Sequence, residues 1–435
     1  MRSTSPTVPS DREPLFTPRF ISLWLFQCGT FFSAFQLLPV IPLRIVELQG
    51  SKAAAGWFLA VYTFASAFAA PVMGTIADTV GRRRMLVVAS LLFVVFSLAY
   101  GVVPWLPLVL LIGILHGAIW SSILSSASAI MTDFIPVSRR TEGLGYWGLA
   151  PTAAIALAPA VGMYVYRFGW FALCAEIAVL SAMMALWAAR LPGGNTSLGS
   201  SVPRSSSEFL GGIRRTLRGA PRNPEEPEEL PHRKTSLPRV VDLWDFRVLK
   251  TSLSFAVISF GYGGITSYVA ILSRERGIHP ESLFFTVFAT SVVLVRIVTG
   301  TIGDRYGPKV LLYPAFASIP LSFALLATSQ TRAQMIAAAI LWGIGLGAAF
   351  PAFMTFVVTH TDQQFRGRTF GSVILAFDTG IGLGSIVIGA IGARWSLGTA
   401  FGVAAVLSCL AIPIFVSTSR QLVRGTAVAD TAPHA

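Results

Sequence analysis

Gly74-Thr75-Ile76-Ala77-Asp78-Thr79-Val80-Gly81-Arg82-Arg83-Arg84 returns 226 residues later as Gly300-Thr301-Ile302-Gly303-Asp304-Arg305-Tyr306-Gly307-Pro308-Lys309. Each copy closes one long apolar segment and opens the next. Each therefore reads as a short charged hairpin between two apolar helices. Arg140-Thr141-Glu142-Gly143 also matches Arg368-Thr369-Phe370-Gly371, and Gly117 matches Gly345, both at an offset of 228. Three landmarks at nearly one spacing, in separate segments, mark an internal duplication.

The 435 residues are 54% hydrophobic and 12% charged, and the mean hydropathy is +0.67. A soluble domain carries about 25% charged residues, so a soluble chain is excluded. Apolar runs of about 20 residues recur, each able to cross a hydrocarbon core of ~30 Å. Spans are expected at about 20–43, 54–77, 85–103, 106–132, 143–165 and 168–190. Six more follow at about 249–273, 281–303, 309–329, 333–360, 368–392 and 395–418. The first run is too long for a cleaved leader and counts as a span. The expected architecture is an all-α membrane protein of twelve transmembrane helices in two pseudo-symmetric six-helix bundles, residues 20–190 and 247–418. A tail (1–19), a Ser-, Pro- and Arg-rich linker (191–246) expected to be disordered by composition, and a second tail (419–435) complete it.

A net charge of +13 raises the question of nucleic acid, and its distribution answers it. In this layout 25 of the 33 Lys and Arg residues fall on one side and 7 on the other, with Arg296 inside a span. Such an excess marks the cytoplasmic face and places both termini there. Cys28, Cys174 and Cys409 have no metal-ligand spacing and read as small core residues. No nucleophile elbow or phosphate loop is present. Gly380, Gly382 and Gly384 form a packing face inside a span. No enzyme activity, metal or cofactor is expected.

Duplicated membrane halves around a charged hairpin are the layout of a secondary transporter. Over nearly its full length the sequence resembles the major facilitator superfamily. The 74–84 hairpin is similar to that family's G-x-x-x-D-x-x-G-R-R-[RK] loop between spans two and three. The resemblance implies a conformational latch made of Gly74, Asp78, Gly81, Arg82 and Asp133, with Asp304 in the second copy. Gly74 would let two helices approach closely. Asp78 would accept from the N-terminus of span eleven, and Arg82 would bridge Asp78 and Asp133. The latch would hold the cytoplasmic gate shut and the protein outward-open. The plainer alternative is that Arg82, Arg83 and Arg84 only set topology. Pro308-Lys309 replaces the arginine pair in the second copy, where a weaker latch is expected.

Ala158-Pro159-Ala160-Val161-Gly162 resembles the family's G-P-x-x-G antiporter motif, with Ala158 in place of the first glycine. With Pro151 upstream, Pro159 and Gly162 supply kinks and close packing; an ordinary kinked helix is the alternative. The motif implies export. One departure opposes a standard proton relay. Exporters of this type carry an arginine four residues before a glycine in span four, and here Gly113 stands before Gly117. His116 is the titratable substitute beside it, unless it merely hydrogen-bonds a neighbour.

Charges inside a bilayer are costly and need a partner or a task. Asp378, about 12 residues into span eleven, and Arg296, in span eight, are expected to form a pair, either switchable by protons or static. Glu176, in the outer half of span six, is a further coupling candidate expected to reach towards the headgroups. By resemblance the cavity holds Gln27, Phe31, Gln36, Trp120, Trp147, Tyr262, Tyr268, Trp342, Phe350 and Phe377. This aromatic lining suits an amphipathic or lipophilic molecule. The expected protein is a monomeric exporter of such a molecule in a bacterial inner membrane, driven by protons and working by alternating access. Its partners are the bilayer, protons and a small-molecule substrate. An uptake symporter or facilitator for a metabolite, and a sensor or scaffold without flux, remain as alternatives.

Overall fold

The computed structural model describes residues 14–48, 50–136, 139, 143, 146–191, 246–361 and 366–430. The expected linker, most of the first tail, and Arg140, Thr141 and Glu142 of the second landmark lie outside the described residues. The first half comprises α1 (Pro18–Leu37), α2 (Ile41–Glu47), α3 (Lys52–Val80), α4 (Arg82–Val102), α5 (Leu106–Phe134), α6 (Leu149–Val165) and α7 (Trp170–Arg190). The second comprises α8 (Phe246–Glu275), α9 (Leu283–Tyr306), α10 (Pro308–Thr328), α11 (Arg332–Thr359), α12 (Arg366–Arg394), α13 (Leu397–Ser408) and α14 (Ala411–Asp430). Among the described residues there is no strand. Among the described residues ten helical stretches are long and apolar enough to span a bilayer, with α1 and α2 together forming one and Leu397–Arg420 another. The 17-residue α6 and the shorter apolar stretch Leu283–Arg296 of α9 fall where spans five and eight are expected.

Local chemistry sets the helix ends. The side chains of Thr17, Ser51, Thr331 and Ser396 accept from the backbone N–H of Phe20, Ala54, Gln334 and Thr399, which satisfies donors that a helix N-terminus leaves open. The two copies of the hairpin share one geometry. Gly81 and Gly307 hold φ of +101° and +83°. Each donates its N–H to the carbonyl four residues back, Ala77 at 3.0 Å and Gly303 at 2.9 Å. Left-handed backbone costs an L-residue about 1–2 kcal/mol, so glycine stands at the turn in both.

Packing within each bundle relies on small residues, as expected where lipid removes the hydrophobic drive between helices. A Cβ on Gly384 of α12 would sit 1.8 Å from the Phe260 carbonyl oxygen of α8, and one on Gly263 of α8 would sit 2.1 Å from that of Ile381. Gly117 holds α5 against α3 in the same way, 2.1 Å from the Tyr62 carbonyl, and Gly162 holds α6 against α1, 2.5 Å from that of Gln36. Gly74 departs from expectation. Among the described residues nothing beyond its own stretch of helix lies within 4 Å of its Cβ position, so no close helix crossing is seen there. The bundles meet chiefly through α3 on α12 and α6 on α9.

Arg276, just past α8, fastens the second bundle. Its guanidinium donates to the carbonyls of Leu326 (2.8 Å), Ala327 (2.9 Å) and Ser329 (2.5 Å) and to Ser329 Oγ (2.6 Å), at the C-terminal end of α10. Burial holds this guanidinium below its ordinary pKa, yet cationic donors on terminal helix carbonyls remain favourable. Arg276→Met should lower stability by about 2 kcal/mol, measured as a lower melting midpoint in detergent. An unchanged midpoint would show that the carbonyls find other donors.

Candidate substrate pathway and coupling site

At the end of the bundles remote from the chain termini, the two halves are bolted together. Lys52 at the start of α3 pairs with Glu275 at the end of α8. The Tyr268 hydroxyl of α8 reaches the carbonyls of Lys52 (2.9 Å) and Ser385 (3.0 Å). Ser385 Oγ donates to the Gly56 carbonyl at 2.7 Å. Glu47 of α2 accepts from Arg274 at 3.4 Å and from the Tyr166 hydroxyl at 2.5 Å. Burial, and next the bond to Glu47, pushes the Tyr166 phenol above its ordinary pKa, so it stays a donor near neutrality. Tyr268 is thus a bolt and not a cavity residue, because both acceptors within its reach are backbone carbonyls of α3 and α12.

The hairpin lies at the opposite end. Arg82 Nη1 meets Asp133 Oδ2 at 3.1 Å, and Arg83 donates to the Ala189 carbonyl. Both contacts join helices of the first half, so this ion pair braces one bundle and does not itself cross between bundles. The side chains of Asp78 and Asp304 lie outside the described residues. In the second copy Lys309 stands over the Phe356 ring, 5.3 Å from its centroid. The expected outward-open hold is not what the described bonds display: the cross-bundle bonds seen gather at the end away from the hairpin.

The expected ion pair between Asp378 and Arg296 does not form. No N–O approach within 4.0 Å joins them, and α12 turns Asp378 towards the other bundle, close enough to Tyr62 of α3 for the two to interact electrostatically. Tyr62 in turn lies edge-on to His116, with ring centroids 5.2 Å apart. His116 is buried among Phe93 (4.3 Å), Phe96 (5.5 Å) and Tyr100 (6.0 Å). Its Nδ1 lies 3.5 Å from the Tyr100 hydroxyl and its Nε2 has no partner. The neighbouring Gly113 faces α3, where a Cβ would stand 3.0 Å from the Phe58 ring. That ring stands against the position of the missing arginine and would have to shift for a side chain there. Tyr62 escaped the sequence reading; a tyrosine in a span gives no signal of the acid it will face across a bundle interface.

Glu176 also differs from expectation. Instead of reaching towards headgroups, it accepts from Gln36 Nε2 at 3.1 Å, because α7 packs on α1 at this level. Glu176 Oε2 and Gln36 Oε1 are left without partners. Gln27 is buried with its Oε1 unpartnered, and Trp147 is buried. Pro151 is partly buried and Pro159 buried on α6. Phe31 and Trp120 meet edge-to-face at 4.7 Å, with Phe35 stacked on Phe31 at 5.6 Å. Across from them Tyr262 stacks on Trp342 and on Phe377, each at 6.0 Å. The first half and the second half each contribute an aromatic wall.

The family model of the Major Facilitator Superfamily matches residues 23–373 and 251–429. The chain belongs to the major facilitator superfamily. It is therefore a multi-pass membrane transporter and not an enzyme, with a lipid bilayer around it and a small molecule as substrate. Multidrug resistance protein MdtG of Rahnella sp. (strain Y9602) is 24% identical over 401 residues, covering 88% of each chain. Multidrug resistance protein 1 of Bacillus subtilis (strain 168) is 22% identical over 341 residues, covering 76% of this chain and 79% of its own. Among solved structures, a bacterial homolog of the human lysosomal transporter Spinster, inward-facing and unoccupied, superposes with a TM-score of 0.69 at 14% identity. It covers 98% of this transporter and 100% of its own chain. At that identity the likeness establishes the fold.

Proposed function

We propose that this transporter exports a small amphipathic or lipophilic organic molecule in exchange for protons, as a monomer in a bacterial inner membrane. The observation that carries the reading is Asp378. It is a carboxyl group about 18 Å along its helix, half-buried and within electrostatic reach of Tyr62 of the other bundle. An ionisable group at that depth needs a task, and an aromatic cavity favours apolar cargo. Two relatives named as multidrug resistance proteins lend the direction of export. With the arginine-rich side as the cytoplasmic one, the bolted end faces outward and the structure is the inward-open partner of an alternating pair. Asp378, His116 and Glu176 are then the groups to carry protons, and Arg82 with Asp133 braces the hairpin.

Efflux of fluorescent lipophilic compounds from an exporter-deficient bacterium, with and without a protonophore, tests this. Extrusion that collapses with the protonophore supports proton-driven export. No extrusion despite good membrane expression overturns it in favour of uptake or facilitation, the reading that the absence of the arginine at Gly113 favours.

A further inference from the structure

A cavity of about 260 Å³ opens at the bolted end, on the seam where α6 meets α9. The first half gives Met163, Tyr166 and Arg167, at the end of α6 and in the turn after it. The second half gives Arg274 of α8, with Glu281 and Ser282, which lead into α9. The charges here do not balance. Glu47 is shared by Arg44 at 3.7 Å and Arg274 at 3.4 Å, and Glu281 by Arg274 at 3.8 Å and His279 at 3.4 Å. Arg167 meets no carboxylate among the described residues; its guanidinium stands 5.8 Å from the Tyr164 ring centroid instead. Three arginines thus face two carboxylates, and the surplus positive charge sits on Arg167, an exposed side chain of the lining.

The surroundings of Arg167 are those of a membrane interface. Leu157, Val161 and Tyr164 recur at i, i+4 and i+7 on α6 and are all exposed, so they form one lipid-facing stripe. The stripe ends at Tyr164 and the exposed Phe168, on either side of Arg167, as aromatic rings gather at headgroup level. A guanidinium there matches phosphate, which its planar fork can hold with two N–H groups. A soluble anion could meet the same arginine, but only a lipid has chains to cover the stripe. We propose that this cavity seats the phosphate of one anionic phospholipid from the leaflet at the bolted end, with Arg167 as its partner and an acyl chain along Leu157, Val161 and Tyr164. Because both bundles supply the lining, a headgroup held there ties α6 to the start of α9. The lipid then favours the state with this end closed, by as much as it binds that state better. The site depends neither on the direction of transport nor on which side of the membrane this end faces.

The test uses the full-length transporter, stripped of lipid in dodecyl maltoside and followed by native mass spectrometry. Dioleoylphosphatidylglycerol is compared with dioleoylglycerol, which has the same chains and no phosphate, and with glycerol 3-phosphate, which has phosphate and no chains. One phosphatidylglycerol should be retained ahead of the rest. Arg167→Gln, at an exposed position where the fold should stand, should weaken that retention about tenfold, and Arg167→Lys should restore part of it. In the same preparation phosphatidylglycerol should slow the labelling of a single cysteine near Lys52 in otherwise wild-type protein and not in Arg167→Gln. Equal retention by wild type and Arg167→Gln, or equal retention of dioleoylglycerol, overturns the site. Glycerol 3-phosphate bound as tightly as the lipid overturns the lipid as the source of the phosphate, and unchanged labelling overturns the tie between the bundles. Efflux plays no part in these measurements, so failure of the export reading leaves the site untouched, and failure of the site leaves export standing.

Discussion

Asp378→Asn leaves the transporter folded and inserted but makes its transport indifferent to the proton gradient. Asparagine keeps the shape and the polar contacts of the side chain and cannot change charge. A charge near the bilayer centre is worth about 3 kcal/mol, enough to shift a two-state equilibrium about 100-fold. If protons bias the bundles through this group, its loss removes that bias and leaves only downhill exchange. The measurement is efflux at several external pH values and with a protonophore, at matched membrane levels. A variant with normal pH dependence would move the role to Glu176 or His116. Since no ion pair joins Asp378 to Arg296, Arg296→Lys should not mimic the asparagine variant, whereas Tyr62→Phe should reproduce part of it.

Much of the scaffold is legible in the residues. Runs of about 20 apolar residues set the helices to within a few positions, because the bilayer leaves a spanning segment few other options. The hairpin glycines at 81 and 307 mark their turns because only glycine takes that backbone freely. The duplication of the hairpin is visible both as sequence and as one repeated geometry. Partners across helices are not legible in this way. Tyr268 and Tyr262 are six residues apart on α8, yet one is a bolt and the other part of an aromatic wall; the rotation of α8 against α3 and α12 decides which. Glu176 reads as an outer-leaflet acid until α7 is seen packed on α1 with Gln36 opposite. Gly74 reads as a packing glycine and has no other helix against it among the described residues, while Gly56, unremarked in the sequence, has the tightest cross-bundle approach. Apolar helices carry only a weak signal of which face turns inward, and lipid-facing and buried positions use similar side chains.

Gly56→Val follows from that approach and has the largest expected effect on the conformational cycle. A Cβ at position 56 would lie 2.2 Å from both the Ser385 carbonyl oxygen and the Tyr268 hydroxyl. The first is backbone of α12 and cannot swing aside, so α3 must move away. That movement breaks the Ser385 bond to the Gly56 carbonyl and the Tyr268 bond to Lys52, and it separates Lys52 from Glu275. Overpacking costs up to about 3 kcal/mol in the usual range, and a clash with fixed backbone falls at its upper end and mostly on the state with this end closed. The population should therefore shift by about 100-fold towards the state with this end open. Transport should stop, since a carrier that cannot close one end cannot alternate. A single cysteine placed near Lys52 should become reactive towards a membrane-impermeant thiol reagent in Gly56→Val and stay protected in its absence. Tyr268→Phe, which removes the one O–H proton that the Lys52 and Ser385 carbonyls share without adding bulk, should give the same exposure to a smaller degree. Normal transport by Gly56→Val would mean that α3 and α12 never close on each other in the working cycle, and that the bolts are incidental to the gate.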